Sequence, residues 1–599
     1  MHAERPLESQ PEAPSRGAVA VYLGLYLLTT VVAFRAGSLV PAPTGYLLLM
    51  ALFIMPVILA ERDGLPALWE AFFLFATPLL PMLIVIDPFE AGLFGYDAYS
   101  FTIPALDYFR NGVSIGEFVS DDGDWPAFYA VALVLQQLTG VDTVVLSKYL
   151  PLFVVAVPYV AYAGIEQFAT RRIAFHTGMV VASTRTLLLF EVKFVDETIA
   201  VLLFFTAIVY LALTAGTRRA VVGFAVVVTA LVLTHHATSS FFGILMAGLI
   251  GGLLLARAPL PDLLARRVVP QRGTPIGVRI TGAVLVAAGV AAVFLFLAPQ
   301  LTTGLIETAF EALFGSRETT SAVQSGSGGG LFSISGVPPR QLVSRAALPL
   351  FALMAGVAAL GILTRYKTAY WEFGWTAAAG VFAVLYLLSV VGGRVVPLGP
   401  IRILLFLVAT LTPVTLSVVS RVRSPARLRN QLAQISPDGR DVRVMRGVVA
   451  VLIVSLLIMT QVAAFDPHIL YTNPDKTVIG EGHHTSAQFG ASQWTEQHYS
   501  GGAVGAERSL WVAHDNSYRN PLHGEGACET LLTAWRPGTG DARPENVSIV
   551  FDSTDISLTR SAGDAYIPGA SSNTQLTPND NAGSPKCGTF VRSKFMNSD

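Results

Sequence analysis

Asp97 lies in the acidic, aromatic-rich stretch 87–112, directly after a run of apolar segments. A lone carboxylate at a membrane boundary can act as general base toward an acceptor hydroxyl, or hold a metal ion or an acceptor amide. Tyr96, Tyr99, Ile103, Leu106 and Phe109 follow at mostly helical spacing, which suits a helix lying on the membrane with these side chains inward. Pro104 would kink or start that helix. The plainer alternative is that Asp97 caps the helix through its side chain. Tyr99 stands two residues from the carboxylate and joins the candidate substrate-binding set.

A second acidic site is Asp196–Glu197, at the end of the segment Glu191-Val192-Lys193-Phe194-Val195-Asp196-Glu197. Paired carboxylates facing Asp97 could share base and orienting roles, or chelate Mg²⁺ or Mn²⁺. The alternative is that two acids opening a helix suit its positive dipole end. Lys193 belongs with the candidate substrate-binding residues. So do His235 and His236, which interrupt an apolar run too long for one membrane span (Val221 to Ala256). Polar residues at membrane depth are costly and usually face a polar cavity. Adjacent histidines point about 100° apart on a helix, so joint ligation of one ion needs a break in the chain. Arg394 and Arg402 bracket a Val-Val-Pro-Leu-Gly-Pro-Ile boundary. A guanidinium there suits a phosphate or pyrophosphate, and interfacial snorkelling is its bland alternative. Arg402, opening an apolar span, is the stronger candidate.

These residues need a membrane scaffold to hold them. The chain has 599 residues, 52% hydrophobic and only 14% charged, too little charge to cover a soluble protein of this size. Runs of roughly 17–22 apolar residues match a bilayer core of about 30 Å. The expected fold is a polytopic α-helical membrane protein with about 13 transmembrane helices. The spans lie near 18–34, 46–60, 66–86, 147–169, 173–190, 197–214, 219–234, 238–256, 276–298, 346–364, 371–391, 401–420 and 447–464. The first span is not followed by a small-residue cleavage site, so no signal peptide is read, and residues 1–17 form a cytoplasmic tail.

Arginine placement orients the bundle. The loops after Ala256 and Ser420 are arginine-rich, and Arg171–Arg172 and Arg218–Arg219 are further basic pairs. Placing all four on the cytoplasmic side of a plasma membrane puts Asp97, Asp196, His235–His236, the loop 299–345 and everything after 465 outside. The apolar stretch 125–138 would invert this if it crossed, so it is read as a short amphipathic or half-inserted helix after Trp125-Pro126. The outer loops are 87–146 and 299–345. The second contains Ser325-Gly326-Ser327-Gly328-Gly329-Gly330, a flexible run that serves as connector or as lid. Residues 465–599 contain no span and form a small extracytoplasmic α/β domain, with a helix at 487–498 and strands at 509–513 and 547–551. The only cysteines, Cys528 and Cys587, both fall there, as expected for a disulfide on the oxidising side; two unrelated thiols are the alternative. No internal repeat is visible.

Taken together, this layout resembles the GT-C superfamily of polytopic glycosyltransferases, which use polyprenyl- or dolichyl-phosphate-linked sugars. The resemblance covers 66–420. It rests on the acidic first outer loop with Asp97, Trp125-Pro126, Lys148-Tyr149-Leu150-Pro151, a second acid (Asp196) 99 residues after the first, and Pro400-Ile401-Arg402. It implies that Asp97 is the main catalytic acidic residue, with Asp196 and Glu197 as further candidates, and that Arg402 contacts the donor phosphate. It implies inverting hexosyl or pentosyl transfer from a polyprenyl- or dolichyl-phosphate sugar to an extracytoplasmic glycan, lipid or protein, with no nucleic acid involved. The Trp-Trp-Asp signature of the oligosaccharyltransferase branch is absent: Trp494, Trp511 and Trp535 stand alone. That argues for a monosaccharide transferase and leaves the cofactor open, Mg or Mn or none. Two other classes compete. A transporter or flippase would show repeated halves and spans broken near the midplane. A non-catalytic envelope-assembly protein would use the boundary acids and histidines structurally.

Overall fold

A computed structural model describes residues 16–35, 42–62, 65–86, 88, 94, 106, 110, 125–141, 143–213, 217–255, 268–269, 289, 292, 339–364, 368–391, 400–422, 453, 455, 503–506, 532–534, 547–550 and 559–560. The protein is helical, and seven described helical stretches, Val145–Glu166 among them, are long and apolar enough to cross a membrane. The described helices are α1 (Arg16–Arg35), α2 (Ala42–Arg62), α3 (Ala67–Ile86), α4 (Pro126–Thr139), α5 (Thr143–Tyr149), α6 (Val157–Glu166), α7 (Arg171–Ala182), α8 (Asp196–Leu213), α9 (Arg218–Thr234), α10 (His236–Leu255), α11 (Pro339–Thr364), α12 (Tyr370–Val391) and α13 (Pro400–Val422). The expected spans at 276–298 and 447–464 fall almost wholly outside the described residues, as do the expected helix at 487–498, the strand at 509–513 and both cysteines. The helix α11 begins at Pro339, inside the stretch expected to be a flexible loop.

The chain divides into two compact units. One comprises residues 1–85, 114–135 and 150–471; the other comprises 86–113, 136–149 and 472–599. In the second unit, β3 (Ala503–Ala506) lies parallel to both β4 (Leu532–Ala534) and β5 (Val547–Val550). An antiparallel β6 (Thr559–Arg560) completes the four-stranded order β4-β3-β5-β6. In the first unit, two-residue strands β1 (Val268–Val269) and β2 (Thr368–Ala369) pair in parallel.

Two expected spans are not continuous helices. Over 147–169, a 3-10 segment at Leu150–Ala156 separates α5 from α6. Pro151 and Pro158 lack the N–H that an unbroken α-ladder requires. Over 173–190, α7 stops at Ala182. Ser183 and Thr184 turn their hydroxyls back onto the carbonyls of Val180 and Val181, at 2.9 and 2.8 Å. Such side-chain bonds offer the backbone an alternative to the helix. A five-residue π-turn, Thr186–Phe190, follows. At about 1.5 Å per residue, the twelve residues of α7 span about 18 Å, short of a bilayer core. The helix α4, of 14 residues, is similarly short at about 21 Å.

Within the first unit, α10 and α12 meet backbone to backbone. A Cβ added at Gly252 would sit 2.4 Å from the Tyr370 carbonyl oxygen, and one at Gly248 would sit 2.4 Å from that of Gly374. The four-residue spacing of Gly248 and Gly252 is the small-residue pattern that lets membrane helices approach closely. An aromatic cluster joins α8, α10 and α13. Phe204 and Phe241 lie 4.8 and 4.7 Å, ring centre to ring centre, from Phe406. The N-terminal end of α7 is pinned by buried acids. Glu70 on α3 accepts from Arg171 Nε at 2.6 Å and from the Tyr162 hydroxyl at 2.9 Å. Glu61 on α2 pairs with Arg172 and lies 3.0 Å from His176 Nε2. A buried carboxylate is tolerable only with such partners. On α12, the buried Glu372 accepts from Ser417 Oγ at 2.5 Å, which ties α12 to α13.

Candidate functional site

At the opposite end of α7, the chain assembles a second polar cluster, entirely within the first unit. Four pieces of backbone position it. The turn 191–195 leads into α8, whose first two residues are Asp196 and Glu197. The α9–α10 run breaks at one residue: α9 ends at Thr234, His235 is extended (φ −159°, ψ 123°), and α10 starts at His236. The helix α13 begins at Pro400, where a missing N–H costs nothing, and places Arg402 in its first turn. Trp125 precedes α4 and is buried.

Glu197 is the centre of this group. Its Oε1 lies 3.0 Å from His235 Nε2 and 3.1 Å from Arg402 Nη1. These are close ionic contacts rather than well-aligned hydrogen bonds. The Glu197 side chain is 5% exposed and that of Arg402 36%, so the pair runs from the protein interior toward its surface. His235 and Arg402 stand 38 and 205 positions from Glu197 in the chain and meet it only through the packing of α8, α10 and α13. The backbone N–H of Thr238 points at His235 Nδ1 at 3.3 Å, with the Thr238 hydroxyl at 2.8 Å from the same atom. A nitrogen receiving an N–H presents its lone pair, so the ring proton sits on Nε2, facing Glu197.

His236 is held from the other side. The Trp125 indole Nε1 donates to His236 Nδ1 at 2.7 Å, and the two rings lie 5.6 Å apart. The His235 and His236 rings lie 5.0 Å apart. The break at His235 therefore brings together two side chains that a continuous helix would splay.

Asp196 caps its own helix, its Oδ1 accepting from the Glu197 N–H at 3.0 Å. This is the dipole-end role open to it in the sequence. Lys193 is buried, and its carbonyl accepts from the Thr198 hydroxyl at 2.7 Å and from the Val195 N–H at 3.0 Å, which folds the turn back onto α8. Glu191 was not among the expected site residues, yet it is buried in this cluster. Burial, followed by the nearby Glu197 carboxylate, holds its carboxyl well above the ordinary range. Its signal in the sequence was an acid directly after an apolar run, hidden by the expectation that 173–190 forms one regular helix.

The structure thus brings Asp196, Glu197, His235, His236 and Arg402 into one region. Asp97, Tyr99 and Arg394 lie outside the described residues, and so does the Cys528–Cys587 pairing. Among the described residues, no group of three or more His, Cys, Asp or Glu side chains is arranged to hold a metal ion. Glu197, the acid best placed for that role, already faces two donors. Chemically, the cluster offers a partly exposed guanidinium aimed by a buried carboxylate, and an imidazole pair with assignable tautomers.

No protein-family model matches the chain, and no curated protein matches it. Among solved structures, it is similar to an oligosaccharyltransferase from Archaeoglobus fulgidus. Against the crystal structure of that protein tethered by a disulfide to an acceptor peptide containing the NVT sequon, identity is 12%, TM-score 0.43, and coverage 75% of this chain and 63% of the other. Against its apo form the values are 12%, 0.42, 75% and 64%. The chain thus spans less than two thirds of the length of these proteins.

Proposed function

We propose that this chain is a membrane glycosyltransferase of the GT-C type, moving a sugar from a polyprenyl-phosphate carrier to an extracytoplasmic glycan, lipid or protein. The observation that carries the reading is the Glu197–Arg402 pair. A buried carboxylate holds a guanidinium, still about one-third exposed, at the end of a membrane helix bundle, the setting in which an arginine meets a lipid-borne phosphate. In this reading the acceptor hydroxyl attacks the anomeric carbon as Asp97 takes its proton. The bond from that carbon to the carrier phosphate breaks, and the phosphate departs with the electron pair. Arg402 offsets the developing negative charge. Glu197 and His235 orient Arg402, and His236, Lys193, Tyr99 and Arg394 line the substrate path. No step is routed through a metal.

The same proposal includes the wider architecture: about 13 spans within 18–464, the N-terminus cytoplasmic, α4 half-inserted rather than crossing, outer loops at 87–146 and 299–345, and an extracytoplasmic α/β domain over 465–599. Deleting the gene in its host and weighing the surface glycans and glycoproteins tests the function. Glycans short by one sugar, restored by wild type but not by Asp97→Asn or Arg402→Ala, are expected. Unchanged glycans in the deletion strain would sink the proposal.

A further inference from the structure

Indole nitrogen has only one hydrogen-bonding capacity: it donates. The 2.7 Å bond from Trp125 Nε1 to His236 Nδ1 therefore requires a lone pair on Nδ1. A neutral imidazole with its lone pair on Nδ1 carries its proton on Nε2. Trp125 is itself buried and cannot turn away without opening a cavity. The charged and titratable groups described as facing His236 are His235, Glu197 and Arg402. Protonating His236 on Nδ1 would break the indole bond and add a cation beside His235 and Arg402, so both costs oppose it.

We infer that Trp125 is a positioning residue, fixing His236 as a neutral donor through Nε2 and keeping it from becoming a cation in the working pH range. The donor serves an oxygen of the bound substrate, and this part rests on the glycosyl-transfer reading. The indole-to-imidazole wiring itself does not. A histidine left to its own devices titrates near pH 6.5 and changes both its charge and its hydrogen-bonding pattern there. The buried indole removes that variability from a site where an anionic leaving group would otherwise draw a proton onto the ring.

The test uses the full chain, labelled with ¹⁵N-histidine, in nanodiscs. His236 is assigned by its loss in His236→Gln. In wild type, the His236 ring is expected to show an unprotonated Nδ1 and a protonated Nε2 from about pH 5.5 to about pH 8. In Trp125→Phe, the same ring is expected to populate the tautomer with its proton on Nδ1 as well, and transfer to fall about twofold to tenfold. A wild-type His236 that carries its proton on Nδ1, or titrates near 6.5, overturns the assignment without any variant having to fold. So does an unchanged ring in Trp125→Phe. If the ring behaves as expected but neither Trp125→Phe nor His236→Gln alters transfer, the wiring stands and the functional reading of this site fails.

Discussion

At the scale of single residues, Glu197 has two tasks that one substitution separates. It neutralises Arg402, faces the Nε2 proton of His235, and orients both. Replacing it by Gln keeps the shape but removes the charge, leaving a buried imidazole and a partly solvated guanidinium without their anion. A cost of about 1–3 kcal/mol in chemical unfolding is expected, with loss of transfer. In a double-mutant cycle with His235→Gln, the pair should couple by about 0.5–3 kcal/mol; strictly additive losses would mean that the 3.0 Å contact carries no energy. Glu191 gives a separate prediction. Its carboxyl is raised by burial first and by Glu197 second, so the fold favours the protonated form. The resulting stabilisation is present below the ordinary carboxylate range, near 4.3, and is lost as pH rises through the elevated value. Wild type should therefore lose stability from acid toward neutral pH relative to Glu191→Gln, in unfolding midpoints measured at about pH 5 and about pH 8. Parallel pH profiles for the two proteins would show that Glu191 ionises like any surface acid.

At the scale of elements, the α10–α12 contact can be challenged at adjacent residues. A methyl at Gly252 would meet the Tyr370 carbonyl, whereas one at Gly251 meets nothing within 4 Å. Gly252→Ala should cost about 1–3 kcal/mol by overpacking, and Gly251→Ala should be neutral or slightly stabilising through helix propensity. Equal effects at both positions would contradict the close approach. Hydropathy located these elements well where an apolar run coincides with a regular helix: α8 was expected from residue 197 and begins at Asp196, and the break at Thr234-His235-His236 lies where the polar interruption suggested. It failed where apolar composition continues through irregular backbone. Over 173–190 the polar run Ser183-Thr184-Arg185-Thr186 marks the stop at Ala182, but the apolar Leu187–Phe190 that follows it extends the hydropathy signal through a π-turn. The pairing of Glu197 with Arg402, and of Glu61 with Arg172, was equally illegible, since each joins residues on different helices, more than 100 positions apart, whose meeting depends on how those helices pack. Asp196 illustrates the reverse case: both its roles were readable, and the local one, capping its own helix, is the one its geometry displays.

At the scale of the whole molecule, the seven apolar helices make this a membrane protein, and the sidedness of its loops is open to direct measurement. Single cysteines introduced at Ser325 and at Arg272, in a background with Cys528 and Cys587 replaced by Ser, should be labelled by a membrane-impermeant thiol reagent in intact cells at the first position only. The reverse pattern would invert the orientation drawn from the arginines and remove Arg402 from the outer face. The pairing of Arg402 with an internal carboxylate also bears on turnover. Any anion arriving at that guanidinium finds another anion 3.1 Å from it, and the attraction it experiences is reduced by that resident like charge. An arginine standing alone in a low-dielectric mouth would grip a departing phosphate and release it slowly. Sharing shortens the dwell time, so on the proposed function the carboxylate that aims the arginine would also govern how soon the site empties.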